Sequence, residues 1–119
     1  MILDLQQDHD FEQLVERSKT DPILIFKHST QCPISTQAYE EFTDFAEGSR
    51  NVFCGVVLVI ENRKLSNVIA ERFHVRHESP QALLIKDGLP VWHASHWDIT
   101  TDSLSNALKS YAESAHQRN

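Results

Sequence analysis

The chain has 119 residues, of which 40% are hydrophobic, and its 17 acidic and 11 basic residues give a net charge of −6. This length fits one domain, and the apolar content is sufficient for a buried core. Lys and Arg form no block, which argues against nucleic-acid binding, and no apolar run reaches membrane-spanning length. The first residues lack the basic start of a secretory signal, and two cysteines are too few for a disulfide scaffold. We therefore expect a cytoplasmic protein that binds neither nucleic acid nor membrane.

Apolar periodicity divides the chain into alternating helices and strands. The two strongest strand patterns, residues 23–27 and 52–60, are nearly continuous apolar runs, which are typical of strands buried on both faces. Asp21-Pro22 ends the helix before the first run, and Asp87-Gly88 is a hairpin signal. In chain order the patterns predict a short strand at 2–5, a helix beginning near 8–10, a strand at 23–27, a helix at 33–46, a strand at 52–60, a helix at 65–73, strands at 81–86 and 91–95, and a helix from 100 or 101 onward.

This order of elements predicts the class of fold. Helices that alternate with buried strands predict a parallel sheet covered on both sides, and the closing hairpin adds an antiparallel edge. The predicted class is therefore α/β, with a central mixed sheet flanked by helices on both faces. The arrangement matches the thioredoxin fold, so we expect a single thioredoxin-like domain over residues 1–119.

Cys32 lies where the strand at 23–27 meets the helix that begins at Pro33. Open α/β sheets bind ligands just beyond the carboxyl ends of their strands, and proline suits the first helical position. Unpaired backbone N–H groups and the positive end of the helix dipole favour a thiolate there, and the thiolate is the nucleophile. An isolated cysteine near a helix start is more often a small buried residue. In this context we predict that Cys32 is catalytic.

No second thiol is expected to partner Cys32. Ser35 stands where a dithiol oxidoreductase carries its second cysteine, which predicts one-thiol chemistry with Ser35 donating a hydrogen bond to the thiolate. Cys54 falls near the start of a neighbouring parallel strand, roughly 15 Å away at about 3.3 Å per residue. Because a disulfide needs Cα atoms within about 7 Å, we expect Cys54 to be an inert core thiol.

Seven histidines raise the question of metal binding. His74-x-x-His77 flanks the end of a helix, and His93-x-x-His96 has a spacing that points its two members to opposite faces of a strand. We therefore predict no metal site and no tightly bound cofactor. His28, at the end of the first buried strand, either tunes the thiolate or is solvated, and the sequence leaves both interpretations open.

A second chemical feature, Glu78-Ser79-Pro80, stands immediately before the strand that begins the hairpin. In thioredoxin-like proteins a proline at this place has a cis peptide bond and faces the active cysteine. The position in the fold therefore implies a cis Ser79-Pro80 bond. It also implies that Ser79 offers its backbone groups to an incoming thiol or peptide, like a short added strand.

The segments FKHSTQCPIS at 26–35 and AYEEF at 38–42 closely resemble the monothiol bacilliredoxins, the YtxJ-type family of the thioredoxin-like superfamily. Members carry a Thr-Cys-Pro-Ile-Ser type motif, whereas this chain has Gln31 between Thr30 and Cys32. The segment VRHESPQ at 75–81 and the lone Gly88 hairpin before Trp92 extend the resemblance over essentially the whole chain.

The resemblance implies an enzyme of cell redox homeostasis. Such a monothiol thiol–disulfide oxidoreductase removes bacillithiol from mixed disulfides on cytoplasmic proteins, with Cys32 as its nucleophile. Bacillithiol is then the co-substrate, and bacillithiolated client proteins are the partners. The residues that the resemblance places around the reacting thiol are Thr30, Gln31, Pro33, Ile34, Ser35, Ser79 and Pro80.

Two functions from other classes stay open. One is an iron–sulfur carrier, as in monothiol glutaredoxins that hold a cluster between two chains. The other is a non-catalytic thioredoxin-like interaction module whose Cys32 is modified only under stress. Colour and an absorbance band after anaerobic purification indicate the carrier, and turnover of a bacillithiolated client excludes the module.

Overall fold

The computed structural model describes residues 2–49 and 52–117. Within these ranges the chain forms five strands and four α-helices in the predicted order, together with one short 3-10 helix that the sequence does not predict. Their bounds are β1 (Ile2–Asp4), α1 (Asp8–Arg17), β2 (Ile23–His28), α2 (Pro33–Gly48), β3 (Phe53–Leu58), α3 (Arg63–Phe73), β4 (Gln81–Lys86), β5 (Leu89–Ser95), the 3-10 helix (His96–Asp98) and α4 (Thr101–Gln117). Met1, Arg50, Asn51, Arg118 and Asn119, which the single-domain prediction includes, lie outside the described residues.

The five strands form a mixed sheet in the order β1-β3-β2-β4-β5. β2 lies at its centre, parallel to β3 and antiparallel to β4, so its backbone is hydrogen-bonded on both sides. All six residues of β2 are buried, as the apolar run predicts for a strand covered on both faces. The α/β class with a mixed central sheet is therefore confirmed.

Helices cover both faces of this sheet. Leu24 and Phe26 of β2 pack with α2 and α4 on one face, and Ile23 and Ile25 pack with α1 and α3 on the other. The alternation follows from the two-residue period of a strand. The faces of the inner strands are covered, so a ligand reaches β2 and β3 at their ends, while the edge strand β5 is partly exposed along its length. Among the helices described, none combines the length and apolarity that a bilayer crossing requires.

The closing hairpin is tighter than the sequence predicts. Asp87 and Gly88 have φ values of 54° and 75°, the positive pair that a two-residue hairpin turn requires. β5 therefore begins at Leu89 rather than at 91. Pro90 lies on this edge strand, where its missing N–H need not break the ladder. β4 has the predicted bounds, and the other strand ends lie within two residues of the predicted ones.

Lys27 is the unexpected residue of the central strand. Its side chain is fully buried, although it carries an amine. It alternates with Ile23 and Ile25, so it lies on the face that α1 and α3 cover. Because burial disfavours the charged form, the pKa of Lys27 falls from 10.5 to about 8. Its ammonium therefore costs stability at neutral pH.

We expect the protein to gain stability relative to Lys27→Met as the pH rises from about 8 to 10.5. In this window the folded protein has released the Lys27 proton while the unfolded chain still holds it, so stability rises with pH. The difference in free energy of unfolding between the two proteins should change by about 2 to 3 kcal/mol. Urea unfolding at neutral and alkaline pH measures it, and a difference that does not change with pH contradicts a buried amine.

Candidate active site

A four-residue turn carries the chain from β2 to α2. The C=O of Ser29 accepts a hydrogen bond from the N–H of Cys32 at 3.2 Å, and Cys32 is the N-cap of α2. The C=O of Cys32 accepts the first helical bond from the N–H of Thr36 at 3.0 Å. Pro33 occupies the first helical position, where a backbone N–H has no partner within the helix, so its absence costs no hydrogen bond. The thiol thus stands at the helix start that the sequence predicts.

The position of Cys32 suits a nucleophile. Its side chain is half-buried, so a disulfide can reach it. The first turn of α2 contains no acidic residue and presents its free N–H groups and positive dipole end to the N-cap. No carboxylate of this turn therefore repels a negative charge on the Cys32 sulfur.

Cys54 lies towards the other end of the sheet. The register of β2 and β3 places it beside Leu24, four residues before the end of β2 at His28. It is 1% exposed, and burial raises the pKa of its thiol to about 12. Both facts agree with the prediction of an inert core thiol that does not resolve a disulfide on Cys32.

Ser35 differs from its predicted role. It is fully buried, and its Oγ accepts a hydrogen bond from the N–H of Ser29 at 2.9 Å and lies 2.7 Å from Nδ1 of His28. Burial lowers the pKa of His28, which favours its neutral imidazole, and the tautomer of that ring decides which of the two groups donates this bond. Among the described residues, Ser35 makes hydrogen bonds to His28 and Ser29 and none to Cys32, in contrast to the predicted bond to the thiolate.

His28 is the site residue whose role the sequence leaves open. It is only 8% exposed, which excludes the solvated strand-end interpretation. Its ring stacks on that of Tyr39, with centroids 4.6 Å apart and planes 13° from parallel. His28 shares strand parity with Phe26, which indicates the face that α2 covers. Its contacts with Ser35 and Tyr39 fasten the first two turns of α2 to the end of β2.

The segment 76–80, which we name the cis-proline loop, lies at the same end of the sheet. Its Ser79-Pro80 bond is cis, as the sequence predicts. Gln81, the next residue, pairs with Lys27, so the loop lies beyond the end of β2 that leads to Cys32. Within the described residues, the backbone of Ser79 makes no hydrogen bond and its buried Oγ has no partner. Its backbone groups are therefore free for an added strand.

The remaining predicted contacts line the turn itself. Thr30, Gln31 and Pro33 are exposed, and Ile34 is half-buried. They are neighbours of the half-buried Cys32 along the chain, and their contacts with a substrate stay a prediction. In the described part of the chain, no three His, Cys, Asp or Glu side chains form a group that could hold a metal ion.

Solved structures with similar folds define the class of the protein. A protein assigned as an oxidoreductase with a thioredoxin fold aligns at 37% identity and a TM-score of 0.79, over 89% of this chain and 92% of that chain. A mutant thioredoxin from Halobacterium salinarum NRC-1 aligns at 21% identity and a TM-score of 0.73, over 92% and 89%. Thioredoxin from Fasciola hepatica aligns at 20% identity and a TM-score of 0.73, over 91% and 97%. The last two show the fold, and with the Cys32 site the chain is a thioredoxin-fold thiol oxidoreductase.

The family follows from a second comparison. The model of the family described as monothiol bacilliredoxin BrxC matches residues 3–104. The match includes both the Cys32 turn and the cis-proline loop. The chain belongs to the monothiol bacilliredoxin BrxC family, and the resemblance drawn from the sequence is confirmed.

In the native protein, Cys32 should be the thiol that alkylating reagents modify. Cys54 is buried and its thiol has a pKa of about 12, so it is protected until the chain unfolds. Iodoacetamide treatment at neutral pH followed by peptide mapping measures the alkylation of each cysteine. In the control variant Cys54→Ser, Cys32 should be alkylated at an unchanged rate. Comparable labelling of the two cysteines in the folded protein contradicts this assignment.

Ser35→Ala should lower stability while leaving Cys32 reactive. Loss of the buried hydroxyl removes its bonds to His28 and Ser29, which we expect to cost about 1 to 2 kcal/mol of unfolding free energy. The alkylation rate of Cys32 should stay within about threefold of the natural protein, because the hydrogen bonds of Ser35 in the described structure go to His28 and Ser29 and not to Cys32.

The matched control is His28→Phe, which keeps an aromatic ring against Tyr39. Combined with Ser35→Ala in a double-mutant cycle of unfolding, it should show a coupling of about 1 kcal/mol between the two residues. If Ser35→Ala instead slows alkylation more than about tenfold at unchanged stability, the hydroxyl serves the thiolate and the assignment is wrong.

Proposed function

We propose that the protein removes bacillithiol from mixed disulfides on cytoplasmic proteins, with Cys32 as the nucleophile. One observation carries the proposal: Cys32 stands at the start of α2 with Ser35, bound to His28, in the place of a second thiol. Cys54 is buried elsewhere in the sheet, so a mixed disulfide on Cys32 has no resolving thiol within the chain. Membership of the monothiol bacilliredoxin family supports bacillithiol as the thiol removed.

In the first step the Cys32 thiolate attacks the bacillithiol sulfur of a client mixed disulfide. A new disulfide joins Cys32 to bacillithiol, the client disulfide breaks, and the client leaves as a thiolate that takes a proton from water. The number of disulfide bonds is unchanged, so the step requires no external oxidant or reductant.

In the second step a free bacillithiol thiolate attacks the bacillithiol sulfur on Cys32. The products are bacillithiol disulfide and the free Cys32 thiolate. The first-turn N–H groups of α2 stabilise the negative sulfur before and after each exchange. Because this chain supplies no second thiol at Ser35, the rate of the second step depends on the concentration of bacillithiol.

Substrate contacts follow from the placement of the cis-proline loop. The backbone of Ser79, which has no hydrogen-bond partner within the described residues, aligns the client or bacillithiol as an added strand. The exposed residues Thr30, Gln31 and Pro33 contact the part of the substrate that leads to the sulfur, together with Ile34. Pro80, which is buried, shapes the loop and holds Ser79 at the end of β2.

Catalytic release of client thiol should depend on Cys32 alone. With a bacillithiolated client peptide and excess bacillithiol, the natural protein and Cys54→Ser should turn over many equivalents, and Cys32→Ser should release none above background. Quantification of free peptide thiol by mass spectrometry measures the release. Turnover by Cys32→Ser, or release that stops at one equivalent despite excess bacillithiol, contradicts the proposal.

A further inference from the structure

Lys27 makes a contact that the proposed reaction does not use. Its Nζ lies 3.2 Å from Nδ1 of His77, a half-buried residue of the cis-proline loop. Burial and the nearby cations Lys27 and Arg63 lower the pKa of His77, so its imidazole is neutral at neutral pH. A neutral Nδ1 accepts a hydrogen bond from the Lys27 ammonium, which leaves the ring proton on Nε2.

A second contact connects the sheet to the same loop. Gln81 is the cross-strand neighbour of Lys27, and its side-chain Nε2 donates to the C=O of Arg76 at 2.9 Å. Lys27 and Gln81 are both at most 1% exposed, so the sheet end of each bond is buried, while His77 is half-buried and Arg76 is exposed. The two buried side chains thus hold the first two residues of the loop, Arg76 and His77.

The stability of the fold does not explain the lysine. Lys27 forms no ion pair with any residue that the structure describes, and its single polar partner is a neutral imidazole. A methionine of similar length fits a buried apolar strand without the desolvation cost of an ammonium. The amine of Lys27 makes a hydrogen bond to His77, which a methionine cannot make.

We propose that Lys27 and His77 are a pair of positioning residues that hold the cis-proline loop in register for the client, an inference that rests on the proposed function. Lys27 acts from the end of β2, and His77 stands two residues before Ser79, whose free backbone aligns the substrate. The pair therefore sets the distance between the client backbone and Cys32. It does not touch the reacting sulfur, so the intrinsic reactivity of Cys32 is independent of it.

The test compares Lys27→Met and His77→Leu with two controls. His77→Asn keeps an acceptor close to the position of Nδ1 and should rescue the pair. Lys86→Met removes a lysine at the far end of β4, whose amine bonds Lys19 and Asp87 and not the loop. Steady-state kinetics with a bacillithiolated peptide give kcat and KM, and the reaction of Cys32 with dithiodipyridine gives the reactivity of the thiol towards a small disulfide.

Both Lys27→Met and His77→Leu should raise KM about tenfold with kcat within about twofold, because the loop that binds the client loses its support while the reacting thiol is unchanged. The double variant should be no worse than either single one. Cys32 should react with dithiodipyridine at the same rate in all variants as in the natural protein. The KM of His77→Asn and of Lys86→Met should also equal that of the natural protein. Thermal unfolding at neutral pH should show Lys27→Met at least as stable as the natural protein, which a merely structural lysine does not predict.

A KM for Lys27→Met equal to that of the natural protein overturns the inference. A rate of Cys32 with dithiodipyridine that falls as much as the rate with the peptide also overturns it, because Lys27 then acts on the thiol. The pairing is wrong if the KM of His77→Asn is raised as much as that of His77→Leu. It is also wrong if the KM of the double variant is twice that of either single variant. If the natural protein does not turn over the bacillithiolated peptide, the proposed function fails. Single-turnover exchange of Cys32 with the same peptide carrying a mercaptoethanol mixed disulfide then tests the pair, and equal rates in Lys27→Met and the natural protein overturn it.

Discussion

The site depends on the end of β2. This strand is buried on both faces and is paired on both sides as far as Lys27, which lies between Val57 and Gln81, so its end is held firmly in the sheet. Lys27 and His28 point to opposite faces because strand side chains alternate. His28 reaches Ser35 in the first turn of α2, and Lys27 reaches His77 in the cis-proline loop. One strand end therefore positions both the nucleophile and the segment that we propose receives the client.

This arrangement assigns different physical roles to the polar groups near Cys32. The helix N-terminus supplies the field that a thiolate needs, while the side chains of Ser35 and His28 satisfy each other and the N–H of Ser29. Because the hydrogen bonds of Ser35 go to His28 and Ser29, the nucleophile that we propose at Cys32 relies on the backbone N–H groups at the start of α2. A site of this kind depends on the geometry of a turn, and the geometry of the turn depends on a buried hydrogen-bond network.

The sequence predicts the parts of this structure that local patterns specify. The run at 23–27 indicates a strand buried on both faces, Asp87-Gly88 a hairpin, and Cys32-Pro33 a helix start, and all three are present. The cis Ser79-Pro80 bond follows from its place before β4. Each of these features involves neighbours along the chain or a known position in the fold.

The missed features join residues that are distant in sequence. His28 and Ser35 are seven positions apart across a strand, a turn and a helix, so no single period brings them together. Lys27 and His77 are fifty positions apart, and hydrophobic patterning offers no reason for an amine in a buried strand. Parity along β2 assigns both residues to faces, but only the packed structure identifies their partners.

The central claim is that the thiol of Cys32 receives the bacillithiol and that no other thiol of the chain resolves it. Rapid quenching with acid during a single turnover with a bacillithiolated client, followed by intact mass and peptide mapping, measures this intermediate most directly. The account predicts a transient adduct of one bacillithiol on Cys32, formed as the client thiol appears and lost when free bacillithiol is added. A Cys32–client disulfide, an adduct on Cys54 or an internal disulfide between the two cysteines contradicts it.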